Sequence, residues 1–198
     1  HFGYRRQRQM CIRDRHYSTR EAIVYNDQRL TFAEAWARGV KLANALLAMG
    51  LQPGDRVGVL EDNSVQAADF FQAAAIANLV RVPLYPRNGR SAHLHMLGHT
   101  DCRAVLVSAV HAHEIQEIGA DLPGLEHVVV RDDSYEEWLA QQSDVDPDVT
   151  IEPDNYFIIR HTGGTTGLSK GVAYTHKAWL AAGRDWFYTL SLINISEP

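Results

Sequence analysis

The residues best suited to chemistry are those from Thr162 to Gly171, which read T-G-G-T-T-G-L-S-K-G. They follow an apolar run of strand length, Tyr156–His161, and precede a second strand-like piece, Val172–Thr175. Glycines let a backbone turn tightly and bring its N–H groups close to phosphate oxygens. Threonine hydroxyls add donors, and Lys170 adds a point charge that neutralises oxygens. Strand, glycine- and hydroxyl-rich loop with one lysine, and second strand together form a polyphosphate grip. The loop is not a Walker A sequence, because Ser169 precedes the lysine and Gly171 follows it. Nor is it a dinucleotide fingerprint, since it is not the first strand-to-helix turn. On composition alone, a flexible surface hairpin of small residues is the alternative.

Other reactive side chains are weaker candidates. His95, His99 and Cys102 fall at i, i+4 and i+7, with His93 nearby, and invite a zinc reading. The spacing allows one helical face, but the helix must stop before Ala104 and a zinc site needs a closed ligand set. These histidines therefore read as ordinary helix-surface residues. His111 and His113 read as a solvated pair. Arg160 and His161 either face a substrate or simply end a strand. Trp179, Trp186, Phe187 and Tyr188 lie on a helix-like segment, Lys177–Tyr188, at a spacing typical of core aromatics.

The elements that must position the loop alternate. Ala22–Tyr25 and Arg29–Leu30 flank Asn26-Asp27-Gln28, a hairpin pattern. Thr31 and Glu34 have capping-box spacing, and the helix they open carries Phe32, Trp36, Val40, Ala43 and Leu47 on one stripe. Gly50 sits where a helix C′ glycine belongs. Pro53-Gly54-Asp55 turns into the strand Val57–Leu60, and Asn63 or Ser64 caps a helix from Val65 to about Ala77. Further strands at Val80–Leu84, Ala104–Val107 and His127–Val130 alternate with helices beginning at Ser91, at His111 and after a Ser134 cap. Ser143–Asp154 reads as an exposed connector. Strands and helices alternating in this way predict an α/β fold with a mainly parallel sheet and flanking helices.

Bulk properties exclude several classes. The 198 residues, 45% hydrophobic and 22% charged, suit one globular domain. No apolar run is long enough to span a bilayer, and no apolar stretch follows Arg5 and Arg6 as a secretory signal would require. Two cysteines make no disulfide framework, which predicts a reducing, cytoplasmic setting. The ends read as non-native. Arg5–Arg15 resembles a translated transposase-type sequencing adapter. The reverse complement of the part encoding Met10–Arg15 translates as L-S-L-I-H-I, one base from the L-S-L-I-N-I of Leu190–Ile195, and Ser196–Pro198 continue the partner adapter. The expected division is 1–15 and 190–198 as adapter-derived, with 16–189 as a partial domain cut at both ends. Setting Arg5–Arg15 and Leu190–Pro198 aside lowers Lys+Arg from 19 to 14 and Asp+Glu from 24 to 22, a net charge of −8. That acidic balance argues against a nucleic-acid partner.

The sequence resembles the adenylate-forming (AMP-binding) superfamily of acyl-CoA synthetases, amino-acid adenylation domains and luciferases. Their phosphate-loop signature, T-S-G-T-T-G-x-P-K-G, differs here at Gly163 for serine and Ser169 for proline. Leu30-Thr31-Phe32-x-Glu34 resembles the family's L-T-Y-x-E-L, Gly54-Asp55-Arg56-Val57 its G-D-R-V, and Val82–Pro86 its V-P-L-x-P. His176 matches a histidine common after the loop's second strand, whereas Leu79 replaces a usual glycine. The resemblance implies the incomplete N-terminal part of the large domain of an ATP-dependent ligase. Such an enzyme uses ATP, Mg²⁺ and coenzyme A to activate a carboxylic acid, here a fatty or aryl acid, as acyl-AMP. It implies that Thr162, Gly163, Gly164, Thr165, Thr166, Gly167, Ser169 and Lys170 bind the triphosphate, with Thr166 near the metal. The catalytic lysine is expected downstream, so the chain alone should be inactive. An adenylation domain loading a carrier protein, or a non-catalytic nucleotide-binding module, are the alternatives.

Overall fold

The computed structural model describes residues 18–163 and 168–195, with side chains of the last helix described as far as residue 185. The adapter-like Arg5–Arg15 and Ser196–Pro198 lie outside the described residues, as do Gly164, Thr165, Thr166 and Gly167 of the loop. Leu190–Ile195 continue the backbone of that last helix.

Strands β1 (Glu21–Tyr25) and β2 (Gln28–Thr31) form the expected antiparallel hairpin, with Asn26 at φ 51° in its turn. Helix α1 (Phe32–Ala48) starts with a complete capping box. The Glu34 N–H donates to Thr31 Oγ1 (3.2 Å) and the Thr31 N–H donates to Glu34 Oε2 (2.8 Å). It ends at Gly50, whose φ of 95° allows Gly50 N–H to reach Leu47 O and Leu51 N–H to reach Leu46 O.

Beyond α1 the chain alternates: β3 (Arg56–Leu60), α2 (Val65–Ile76), β4 (Val80–Pro83), α3 (Arg90–His99), β5 (Cys102–Ser108), a 3-10 turn (Ala109–His111) and α4 (Ala112–Gly119). Then come β6 (His127–Arg131), α5 (Tyr135–Ala140), β7 (Tyr156–His161), β8 (Gly171–Thr175) and α6 (His176–Ile195). The main sheet has the order β6-β5-β3-β4-β7-β8 and is parallel except for the antiparallel β7–β8 pair. Its two faces follow the period of two. Val57, Val59, Ala104 and Leu106 join the core under α1 and α2, while Val105, Val107 and Val82 join the one under α3 and α4. The α/β fold with a mainly parallel sheet is as the alternation predicts. Among the described residues no helix is long and apolar enough to cross a membrane.

Two local expectations need correction. The buried face of α1 is rotated from the stripe of large residues: Val40 and Ala43 are buried, but so are Ala35, Gly39, Leu42 and Leu46. Phe32 is exposed, and Trp36 and Leu47 only flank the core. Close approach of α2 along the small residues decides this, since a Cβ on Gly39 would lie 2.6 Å from Gln72 Cβ. Ser134 precedes α5 but its side chain makes no cap bond. Asp132 Oδ1 instead accepts from both the Ser134 N–H (2.9 Å) and Ser134 Oγ (2.6 Å), a short polar turn.

One arginine joins three helices. Arg38 on α1 donates in a fork to Asp69 on α2 (2.8 Å for each bond) and to Glu136 on α5 (2.7 and 2.9 Å). Tyr135 OH adds a bond to Asp69 Oδ2 (3.0 Å). The buried carboxylate of Asp69 is thereby fully engaged, which keeps its burial from being destabilising.

Gly39→Ala tests the helix contact. Alanine gains about 1 kcal/mol of helix propensity. Overpacking costs about 1–3 kcal/mol, and Gln72 Cβ is too close to its own backbone to swing away. Denaturant melts should show a net loss of about 1 kcal/mol; a stabilised variant would show that the helices separate freely.

Candidate functional site

The loop projects from the β7–β8 hairpin at the edge of the sheet. Strand β7 forms because Phe157 and Ile158 are buried apolar residues in an extended run, and β8 returns beside it with His161 opposite Gly171. Two bonds close the neck. Thr162 N–H donates to Lys170 O (2.9 Å), and Lys170 N–H donates to Thr162 Oγ1 (3.2 Å). The loop residues are therefore held at both roots by one threonine. Gly171 has a steric reason, since a Cβ there would lie 2.9 Å from Ile159 Cγ2.

Of the residues expected to grip phosphate, Thr162, Gly163 and Lys170 are exposed and Ser169 is half-buried. Gly163 has open space where a Cβ would stand. Among the described residues no carboxylate pairs with the Lys170 ammonium, so its charge is available to a ligand. Gly164, Thr165, Thr166 and Gly167, including the proposed metal contact, lie outside the described residues.

Helix α3 forms the opposite wall of a cavity of about 330 Å³, whose lining includes Tyr85, Asn88, Ser91, His95, His161 and Thr162. Lys170 is not part of that lining. Tyr85 OH donates to His161 O (3.3 Å), and His95 Nε2–H donates to Ser169 O (2.9 Å). The His95 ring stacks on His99 (centroids 5.4 Å apart) and meets His161 edge-on (6.5 Å), while His99 meets His161 at 6.1 Å.

The reading of ordinary surface histidines is thus wrong in part. His99 is exposed, but His95 is half-buried against the loop and His93 is fully buried. His93 Nε2–H donates to Tyr85 O (2.9 Å), and its Nδ1 lies 2.5 Å from Glu114 Oε1. Burial pushes the Cys102 thiol up to about 11, and no group of three His, Cys, Asp or Glu side chains among the described residues is arranged to hold a metal ion.

The pair before the loop separates by strand alternation: Arg160 is exposed and His161 is buried. Burial first, then the nearby His99 and His95, holds His161 below its ordinary 6.5. Neither ring nitrogen of His161 has a hydrogen-bond partner among the described residues. Trp179 packs against Phe71, Phe157 and Tyr174, as a core aromatic should. Side chains of Trp186, Phe187 and Tyr188 lie outside the described residues. Sequence reasoning missed Tyr85, Asn88 and Ser91. The one available signal was the i, i+4 spacing of His95 and His99.

Residues 12–194 match the family described as AMP-binding enzyme. The chain belongs to the AMP-binding enzyme family. A long-chain-fatty-acid–CoA ligase, FadD13 of Mycobacterium tuberculosis, is 33% identical over 168 residues, 84% of this chain and 33% of the relative. A fatty acid–[acyl-carrier-protein] ligase, ScoC of Streptomyces coeruleorubidus, is 30% identical over 181 residues, 86% of this chain and 34% of the relative. The inhibitor-bound N-terminal domain of FACL13 from Mycobacterium tuberculosis superposes with a TM-score of 0.78 at 32% identity, covering 84% of this chain and 43% of that one. The chain spans about a third of the length of the curated relatives it matches.

Within this AMP-binding segment the histidines give a pH response. A folded-state pKa below 6.5 at His161 means that the unfolded chain takes up the proton first as pH falls. Stability is therefore intact above pH 6.5 and declines below it, and His176, lowered by burial, acts in the same direction. Melting temperature should fall between about pH 7.5 and pH 5.5, above the usual carboxylate range. His161→Phe should make that fall shallower without abolishing it. An equally steep fall in the variant would remove His161 from the response.

Proposed function

We propose that the chain supplies the triphosphate-gripping part of an ATP-dependent acid–thiol ligase, with a fatty or aryl acid as substrate and coenzyme A as acceptor. The carrying observation is the closed loop neck with an exposed Lys170 that no carboxylate neutralises among the described residues. Exposed Thr162, open space at Gly163 and the lone lysine suit the β- and γ-phosphates of ATP. In the reaction, a carboxylate oxygen attacks the α-phosphorus of ATP-Mg²⁺, the bond to the β-phosphate bridging oxygen breaks, and pyrophosphate leaves with acyl-AMP formed. The thiol of coenzyme A then displaces AMP.

Negative charge accumulates on the departing pyrophosphate. Lys170 and the loop donors would stabilise that charge as it develops, which acts on the transition state. Lys170 is a fixed cation in this scheme, not a base. Thr166 would stand near the Mg²⁺. A second reading, with a carrier protein as acceptor, is supported by the likeness to ScoC, whose name specifies an acyl-carrier-protein.

Calorimetric titration tests the grip. Tripolyphosphate should compete with MgATP for the chain and AMP should not, because AMP lacks the phosphates that the loop holds. Lys170→Ala should weaken MgATP binding on the order of 10- to 100-fold, the effect of one charge-assisted contact. In an enzyme carrying this segment, the same change should slow acid-dependent ATP–pyrophosphate exchange, with fatty and aryl acids compared as substrates. Undiminished binding in Lys170→Ala, or exchange that needs no carboxylic acid, would refute the reading.

A further inference from the structure

We propose that His95 is a positioning residue for the phosphate loop, its Nε2–H tying the lysine-bearing limb to helix α3 through the Ser169 carbonyl. The inference rests on the polyphosphate reading of the loop and adds a residue from an element 74 positions away.

The two limbs of the loop are held differently. The first leaves β7 at His161, whose carbonyl accepts from Tyr85 OH (3.3 Å) and whose ring is buried. The second carries Leu168, Ser169 and Lys170. Leu168 is exposed, and a serine has no ring to restrict its own φ. The neck bonds reach only as far as Lys170, so Ser169 is the first residue beyond them. His95 holds it there at 2.9 Å.

The histidine is itself well placed to act as a strut. Its ring stacks on His99 with planes 19° apart and stands edge-on to His161, so two neighbours limit its rotation. Because a carbonyl only accepts, the bond requires the proton on Nε2. Helix α3 is rooted in the core by buried Met96 and Leu97, and its buried His93 donates to Tyr85 O (2.9 Å). Both limbs are thus braced from the same side, one by Tyr85 and one by His95. A loop held in its binding conformation spends less of its ligand's binding energy on ordering, which is how a residue outside the ligand's reach raises affinity.

The test compares the intact chain with His95→Ala, His95→Gln and Lys170→Ala, using MgATP as the probe. Glutamine places a donor at the same number of bonds from Cβ as His95 Nε2. His95→Ala should bind MgATP about five- to tenfold more weakly, as expected for one lost hydrogen bond. Without ligand, its Lys170 amide should exchange with solvent several-fold faster, because the limb is loose before any ligand arrives. His95→Gln should recover most of both, and it serves as the folding control. In the unchanged chain, side-chain nitrogen shifts should show the Nε2–H tautomer at His95.

Unchanged affinity in His95→Ala beside a weakened Lys170→Ala overturns this inference alone. So does weakened affinity with unchanged Lys170 amide exchange, which would make His95 a direct ligand contact. Unchanged affinity in Lys170→Ala overturns the polyphosphate reading itself.

Discussion

Everything the loop does depends on strand β7 lying beside β4, and side-chain burial carries that docking more than backbone pairing does. The β4–β7 ladder is short, with Arg81 opposite Ile158 as its register pair. Phe157 and Ile158 are nonetheless almost fully buried, and Phe157 meets Phe71 edge-on at 5.4 Å and His176 at 4.9 Å. Burying two side chains of this size contributes about 1.5–3 kcal/mol each, more than a backbone hydrogen bond's net of about 1 kcal/mol. Asn155 anchors the strand's start by accepting from Asn78 Nδ2 (2.9 Å) and from Glu152 N–H (2.8 Å). Apolar packing at its base therefore places the loop, and polar bonds at Thr162, Ser169 and Lys170 only fix its roots.

That division of labour explains what could be read in advance. The strand–loop–strand reading of Tyr156 to Thr175 needs only local rules: an apolar run, a glycine- and hydroxyl-rich stretch, a second short run. The capping box at Thr31 and Glu34 and the C′ glycine at Gly50 are local in the same sense, and both are present. Strands β3 and β5 follow because central parallel strands buried on both faces read as nearly continuous apolar runs, and the edge strand β6 still shows its Val128–Val130 run. In the loop itself, the neck bonds between Thr162 and Lys170 join residues eight positions apart and are seen only in the fold, and residues 164–167 lie outside the described part.

Where reading failed, the deciding partner was distant. Spacing gives the stripe of Phe32, Trp36, Val40, Ala43 and Leu47 on α1, but contact with α2 is set by where two backbones come closest, and Gly39 marks that place. His95 looked like any surface histidine because its partner, Ser169, belongs to the far end of the chain. His93 looked the same, and only packing against Tyr85 and Glu114 makes it a buried polar residue. Spacing reported that His95 and His99 share a face; it carried no information about what that face meets.

The topology also imposes an order on assembly. Strands β3 and β4 pair Arg56 with Val80, and β5 joins β6 with Ala104 opposite His127, so each closure spans only a few dozen residues. Pairing Arg81 with Ile158 instead spans 77 positions. The entropy of closure grows slowly with length, so this adds only about 1 kcal/mol over the β3–β4 closure. In a chain made from its N-terminus, however, the four-stranded scaffold is complete in sequence before β7 exists. The β7–β8 hairpin then docks on a surface that is already formed.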